Sequence, residues 1–174
     1  MSILSTAKAR ILARPIGNAV ADNKLQAYID EVEQTRIAAK FGSEIYIALQ
    51  DAETREAEPY KTLLKGGTFM QQGRLQAFFG LEKAIAYGVY CKMMQSGDIE
   101  VTRYGTVLKR GEYSDHATQQ QLAKTAGEVA EIEHRFVAQC LQYCRAVGLL
   151  HCCDARDNGI FAGGIKVGKI KMDR

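Results

Sequence analysis

Between Leu75 and Met94 the chain can present apolar side chains around most of a helical circumference: Leu75, Phe78, Phe79, Leu81, Ala84, Ile85, Ala86, Tyr87, Val89, Tyr90 and Met93. A helix apolar along one stripe covers a core, whereas one apolar on most sides must itself be surrounded. The stretch therefore predicts a central helix, from Arg74 or Leu75 to Met94, with the other elements packed around it. Its innermost run, Ala84 to Cys91, lies between Lys83 and Lys92. That run falls far short of the ~20 apolar residues that span a bilayer, so the expected surroundings are protein rather than lipid.

The flanking sequence supplies the cover. Asp22 or Asn23 can cap a helix in which Leu25, Tyr28, Ile29, Val32 and Ile37 follow a helical stripe and Gly42 is the stop. A second helix is predicted from Ser43 to Glu53 and a short one from Tyr60 to Leu64, ending at Lys65-Gly66-Gly67. Ser96-Gly97-Asp98 closes the central helix. Ile99 to Lys109, rich in β-branched and aromatic residues, reads as extended. A long helix follows, about His116 to Ala146, ending near Gly148, with Leu122, Ala126, Val129, Ile132 or Glu133, Phe136, Val137, Cys140, Leu141 and Cys144 at helical period. The expected fold is mainly α: a small helical bundle around a buried central helix, with a short extended segment and a C-terminal β-hairpin or extended arm. Residues 1–21, broken by Pro15 and Gly17, read as an N-terminal arm, 22–148 as the helical domain, and 149–174 as a glycine-rich basic arm.

A chain of 174 residues with 47% hydrophobic and 25% charged side chains fits one globular domain rather than a disordered polyelectrolyte. The net charge of +3 is too small to mark the whole chain as a polyanion binder. The excess is local: Lys166, Lys169, Lys171 and Arg174 face only Asp173 near the C-terminus. Such a tail can meet DNA or an acidic surface, or simply be solvated. No apolar leader segment follows Lys8, Arg10 and Arg14, which predicts a protein made in the cytosol. Five cysteines, an odd number, argue against a disulfide framework in that setting.

Chemistry-bearing patterns are sparse. Lys65-Gly66-Gly67 holds the ingredients of a phosphate loop out of order, and Gly163, Gly164 and Gly168 lack the βαβ context of a dinucleotide site. Cys144, His151, Cys152, Cys153 and Asp154, with Cys140 one turn earlier, offer thiolates and an imidazole of the kind zinc takes. Adjacent Cys152 and Cys153 fit a tetrahedral site poorly, and the competing reading makes Cys140 and Cys144 small core residues. His116, His134 and His151 show no partner for nucleophilic chemistry. Glu31 with Glu33, and Glu128 with Glu131, stand where a solvated helix face or an inter-subunit salt bridge is expected. No catalytic residue, metal or cofactor is predicted.

Several segments together resemble one family. They are Tyr28-Ile29-Asp30-Glu31-Val32-Glu33, Phe41-Gly42-Ser43-Glu44-Ile45-Tyr46, Tyr60 to Gly67, Gly80 to Tyr87, and Asp98-Ile99-Glu100-Val101-Thr102-Arg103-Tyr104-Gly105-Thr106-Val107-Leu108-Lys109 leading to Tyr113-Ser114. In this order the chain, from about Asp22 to Tyr143, resembles the head–tail connector or neck ring proteins of crAss-like and other Bacteroidales tailed phages. Cys152-Cys153 and the glycine-rich tail depart from that pattern.

The resemblance implies a structural subunit of a homo-oligomeric ring, a dodecamer, in the virion neck and in the host cytoplasm during assembly. Its partners would be the portal protein and adjacent neck or tail rings, with DNA passing through the lumen without sequence recognition and no membrane contact. Ile165, Lys166, Val167, Lys169, Ile170 and Lys171, together with Tyr104 and Lys109, are the expected interaction residues. The alternative is a small helical DNA-binding or packaging-accessory protein that uses the basic tail; an enzyme with a Cys/His or metal site is a third possibility.

Overall fold

The computed structural model of the protein describes residues 2–17, 20–96, 99–102, 105–108 and 119–150. Helices dominate: α1 (Thr6–Leu12), α2 (Asp22–Val32), a π-helical turn (Glu33–Ile37), α3 (Ala38–Phe41), α4 (Ser43–Gln50), α5 (Ala52–Glu56), α6 (Tyr60–Lys65), α7 (Leu81–Ser96) and α8 (Gln119–Ala146). Two antiparallel hairpins interrupt them, β1 (Gly67–Gln71) with β2 (Arg74–Phe78) and β3 (Ile99–Thr102) with β4 (Gly105–Leu108). The fold is mainly α, as the hydrophobic periodicity predicts.

The core is built on α7, which packs most extensively against α8 and also meets α1, α2 and α6. Leu81, Ala84, Ile85, Ala86, Gly88, Val89 and Cys91 of α7 are buried, covering most of its circumference. Phe78, Leu81, Ile85 and Val89 are all buried in the same core as Val137, Cys140, Tyr143 and Cys144 of α8. Among the described residues no helix is long and apolar enough to cross a membrane.

The central helix is shorter than expected. Residues 74–78 form a strand, and Gly80 separates it from α7. The register sets Gly67 opposite Phe78, Phe69 opposite Gln76 and Gln71 opposite Arg74. The two-residue loop, Gln72 at φ 50° and Gly73 at φ 74°, has the positive φ at both positions that a type I′ hairpin turn needs. Leu75 and Phe79, read from the sequence as helical core residues, are 68% and 53% exposed. Leu75 lies on the outward side of β2, where period two rather than 3.6 decides burial, and Phe79 follows the end of that strand.

The N-terminal segment also differs from the expected arm. Ser5 caps α1, its hydroxyl accepting from the Lys8 amide at 3.4 Å, and Ile3, Leu4, Ala9 and Ile16 are buried in the main core. Four apolar side chains removed from water, at roughly 1.5–3 kcal/mol for each large one, are enough to hold a short segment on the body. The extended stretch after α7 is a hairpin rather than one strand.

From Asp22 to Phe41 the helix is continuous but not uniform. Leu25, Ile29, Glu33, Ile37 and Phe41 are all buried, at a strict spacing of four. In a regular α-helix of 3.6 residues per turn that spacing drifts by roughly 40° at each step. The wider π turn absorbs part of the drift and keeps all five on one face. Gly42, at φ 83°, ends the helix.

Candidate functional site

Two buried carboxylates lie at the centre of the fold, and both serve its construction. Glu33, 1% exposed, accepts the amides of Ile3 (2.9 and 3.0 Å, one to each oxygen) and Leu4 (2.9 Å) and the Ser2 hydroxyl (2.9 Å). It thereby ties the N-terminal segment to the π turn. Burial raises its pKa above the ordinary 4.5, while the hydrogen bonds from Ile3, Leu4 and Ser2 oppose that shift. Sequence reading placed Glu33 with Glu31 on a solvated face; the π turn brings Glu33 inward.

Glu133 of α8, also 1% exposed, accepts from the Arg36 guanidinium, which the same π turn directs toward α8. A Cβ on Gly88 would lie 3.1 Å from Oε1 of Glu133 and 2.9 Å from Cγ1 of Val32, so only glycine leaves room for the carboxylate between α7 and α2. Cys91 lies beside this pair and donates to the Ala126 carbonyl at 3.5 Å. Burial raises the Cys91 thiol pKa and pushes that of Cys144 up to about 12, with Cys140 shifted in the same direction. Thiols held protonated in this way are poor nucleophiles and poor metal ligands. Among the described residues no group of three or more His, Cys, Asp or Glu side chains is arranged to hold a metal ion. His151, Cys152, Cys153 and Asp154, the rest of the candidate zinc set, lie outside the described residues.

A cleft of about 410 Å³ separates residues 2–8 from α5, α6 and the start of α7. Its charges are largely committed to one another. Lys8 bonds Glu82 at 2.6 Å and Lys61 lies 3.9 Å from Glu56. Arg55 donates to the carbonyls of Leu49 (2.7 and 3.0 Å) and Ser2 (3.3 Å). The cleft is a polar seam between the N-terminal segment and the body.

Among the described residues, the outer side of the β1–β2 hairpin is an apolar surface that the fold leaves uncovered. Its inner side is anchored by aromatic packing: Phe78 stacks on Tyr143 at 4.6 Å, and Phe69 meets both rings edge-on at 5.7 and 5.8 Å. On the outer side Met70 pairs across the strands with Leu75, and Thr68 with Ala77. All four are exposed, Met70 by 60% and Leu75 by 68%. Phe79 continues the patch toward α8, its ring 5.3 Å from that of Phe136, with Lys83 Nζ 4.9 Å from the Phe79 centroid.

The residues that the sequence singled out for interaction are different ones. Tyr104, Lys109, Ile165, Lys166, Val167, Lys169, Ile170 and Lys171 all lie outside the described residues. The hairpin face was missed because 74–79 was read as helix. Thr68-Phe69-Met70 and Leu75-Gln76-Ala77-Phe78, flanking Gln72-Gly73, are the pattern that could have revealed it.

Residues 41–148 match a protein family described as a family of unknown function (DUF6712). No curated protein and no solved structure matches the chain.

Proposed function

The chain belongs to the DUF6712 family, and we propose that it is a structural subunit of a phage head–tail connector ring, joining portal to tail and surrounding the DNA channel. The observation that carries this reading is the exposed apolar face of the β1–β2 hairpin, held rigidly on a helical body. Contiguous apolar surface of this kind is an interaction signature. A ring subunit needs such a face for a lateral contact that repeats by rotation. The resemblance of Asp22 to Tyr143 to connector proteins supports the same role. In it, the interaction residues at the C-terminus and at Tyr104 and Lys109 meet neighbouring subunits or rings, and the protein works in the virion neck without catalysis.

The test is assembly. Removing Gly159 to Arg174 is expected to leave the far-UV circular dichroism of the helical body nearly unchanged and to abolish rings, or incorporation into particles, seen by electron microscopy. A truncated chain that assembles normally and loses only salt-dependent DNA affinity would instead favour a DNA-binding accessory protein.

A further inference from the structure

We propose that the π turn (Glu33–Ile37) is a conformational relay: docking of residues 2–4 on Glu33 places Arg36 on Glu133, and a contact that draws those residues away loosens α8 at Cys91. The relay is independent of what the protein joins, and so of the connector reading.

The turn is held from two directions. Glu33 accepts the amides of Ile3 and Leu4 and the Ser2 hydroxyl. Arg36, in the same turn, donates to Glu133 of α8. In a regular α-helix side chains three apart share one face, about 60° from each other. A π turn winds less per residue and sets them further apart. That separation lets Glu33 face Ile3 and Leu4 of the main core while Arg36 reaches α8. π turns are rare and are frequent at functional sites. No proline or glycine accounts for this one, whose sequence is EQTRI. Thr35 donates its hydroxyl to the Glu31 carbonyl at 2.6 Å, a bond that eases a local break in the helical ladder.

The two ends of the relay depend on each other. Without residues 2–4, Glu33 is a buried carboxylate that has lost its donors, which is costly. It moves toward water if the turn closes to regular α-helix, because Glu33 then rotates by roughly 40° off the face of Ile37. Arg36 lies in the same turn and shifts with it. Glu133 has little else to hold it: Arg36 donates to its Oε2, and its Oε1 accepts no hydrogen bond among the described residues. Deprived of Arg36, it is an unpaired buried charge, which strongly disfavours the closed packing around it. Cys91 lies beside the pair, fully buried in a small cluster with Ala126 and Val129 that is separate from the main core. It is the thiol that an opening of α8 at this point uncovers. Cys140 and Cys144 belong to the main core and stay covered.

The test uses the full chain with Cys152→Ser and Cys153→Ser, and reads alkylation of each remaining cysteine in the native state by mass spectrometry. Leu4 is fully buried, so Leu4→Asp should release the segment, seen as faster hydrogen exchange at the Ile3 amide. Cys91 should then react more than about tenfold faster, with Cys140 and Cys144 unchanged, as for a local opening. Coupling between sites is reciprocal, so Arg36→Met should speed exchange at the Ile3 and Leu4 amides more than at the Ile85 amide in the core. A released segment with Cys91 as slow as before would overturn the relay. Equal acceleration of all three cysteines would also overturn it, since that is loosening of the whole core. If Leu4→Asp fails to fold, Glu33→Gln, which keeps the volume and removes the charge, should raise the reactivity of Cys91 alone; no change there would overturn the proposal.

Discussion

Gly66 and Gly80 stand back to back at the base of the β1–β2 hairpin. A Cβ on Gly80 would lie 2.5 Å from the Gly66 nitrogen and 2.4 Å from the Leu64 carbonyl oxygen, and one on Gly66 would lie 2.7 Å from the Phe78 oxygen. Both have positive φ, 87° and 82°. The C-terminus of α6 and the start of α7 are thus pinched together across two residues without side chains, and the pinch aims the hairpin.

Gly80→Ala is therefore expected to cost more than the ~1–2 kcal/mol of a left-handed alanine alone. The added methyl meets backbone atoms, which no rotamer change can move. Gly73→Ala at the hairpin tip, where φ is also positive but nothing lies within 4 Å, should cost only the conformational part. Urea denaturation of both variants checks the difference; equal losses would show that the two backbones separate easily.

The pairing of Arg36 with Glu133 gives a second prediction. Arg36→Met leaves a buried carboxylate without its cation and is expected to destabilise by about 3 kcal/mol. Combining it with Glu133→Leu should restore much of that loss, because the paired charges contribute little beyond well-packed apolar groups. A double-mutant cycle with a coupling energy near zero would contradict the pairing.

How much of this was legible in the sequence depended on which period governed each segment. Leu81 to Met93 is apolar around most of the helix and Leu122 to Cys144 keeps a regular 3.6-residue stripe, so the two principal helices of the core could be read directly. Leu75, Phe78 and Phe79 fit a helical wheel equally well, and short apolar runs do not distinguish strand from helix. The deciding signals, Gln72-Gly73 and Gly80, are weaker than the Asn-Gly that favours a type I′ turn. Glu33 was hidden for another reason: a π turn alters the phase of a helix, and no residue type announces it. The N-terminal segment was misread because Pro15 and Gly17 suggested a break, whereas Ile3 and Leu4 are held by a side chain some thirty residues away.

Cysteine reactivity offers a third prediction. Cys91, Cys140 and Cys144 are fully buried, and burial raises all three thiol pKa values, that of Cys144 to about 12. In a chain carrying Cys152→Ser and Cys153→Ser, a thiol reagent at neutral pH should find almost no fast-reacting group in the native state and all three after denaturation. One rapidly modified native cysteine would place that residue at an opening of the core.

The last prediction concerns pH and Glu33. Burial is the largest influence on this carboxyl and raises its pKa above 4.5 in the folded protein. A group whose folded pKa exceeds its unfolded one binds its proton more tightly in the native state, so unfolding releases protons and is favoured as pH rises. Its contribution to stability is fully present below the unfolded value and is lost as pH increases through the raised one. Glu33→Gln removes this titration. It also weakens the cap on Ile3 and Leu4, but that loss does not change with pH. The stability of the wild type relative to the variant should therefore fall as pH rises above the ordinary 4.5 and through the raised folded value, measured by urea denaturation across a pH series. A wild type that gains on the variant over the same range would mean that the amides of Ile3 and Leu4 and the Ser2 hydroxyl outweigh burial, and that Glu33 is held as a carboxylate by the chain it anchors.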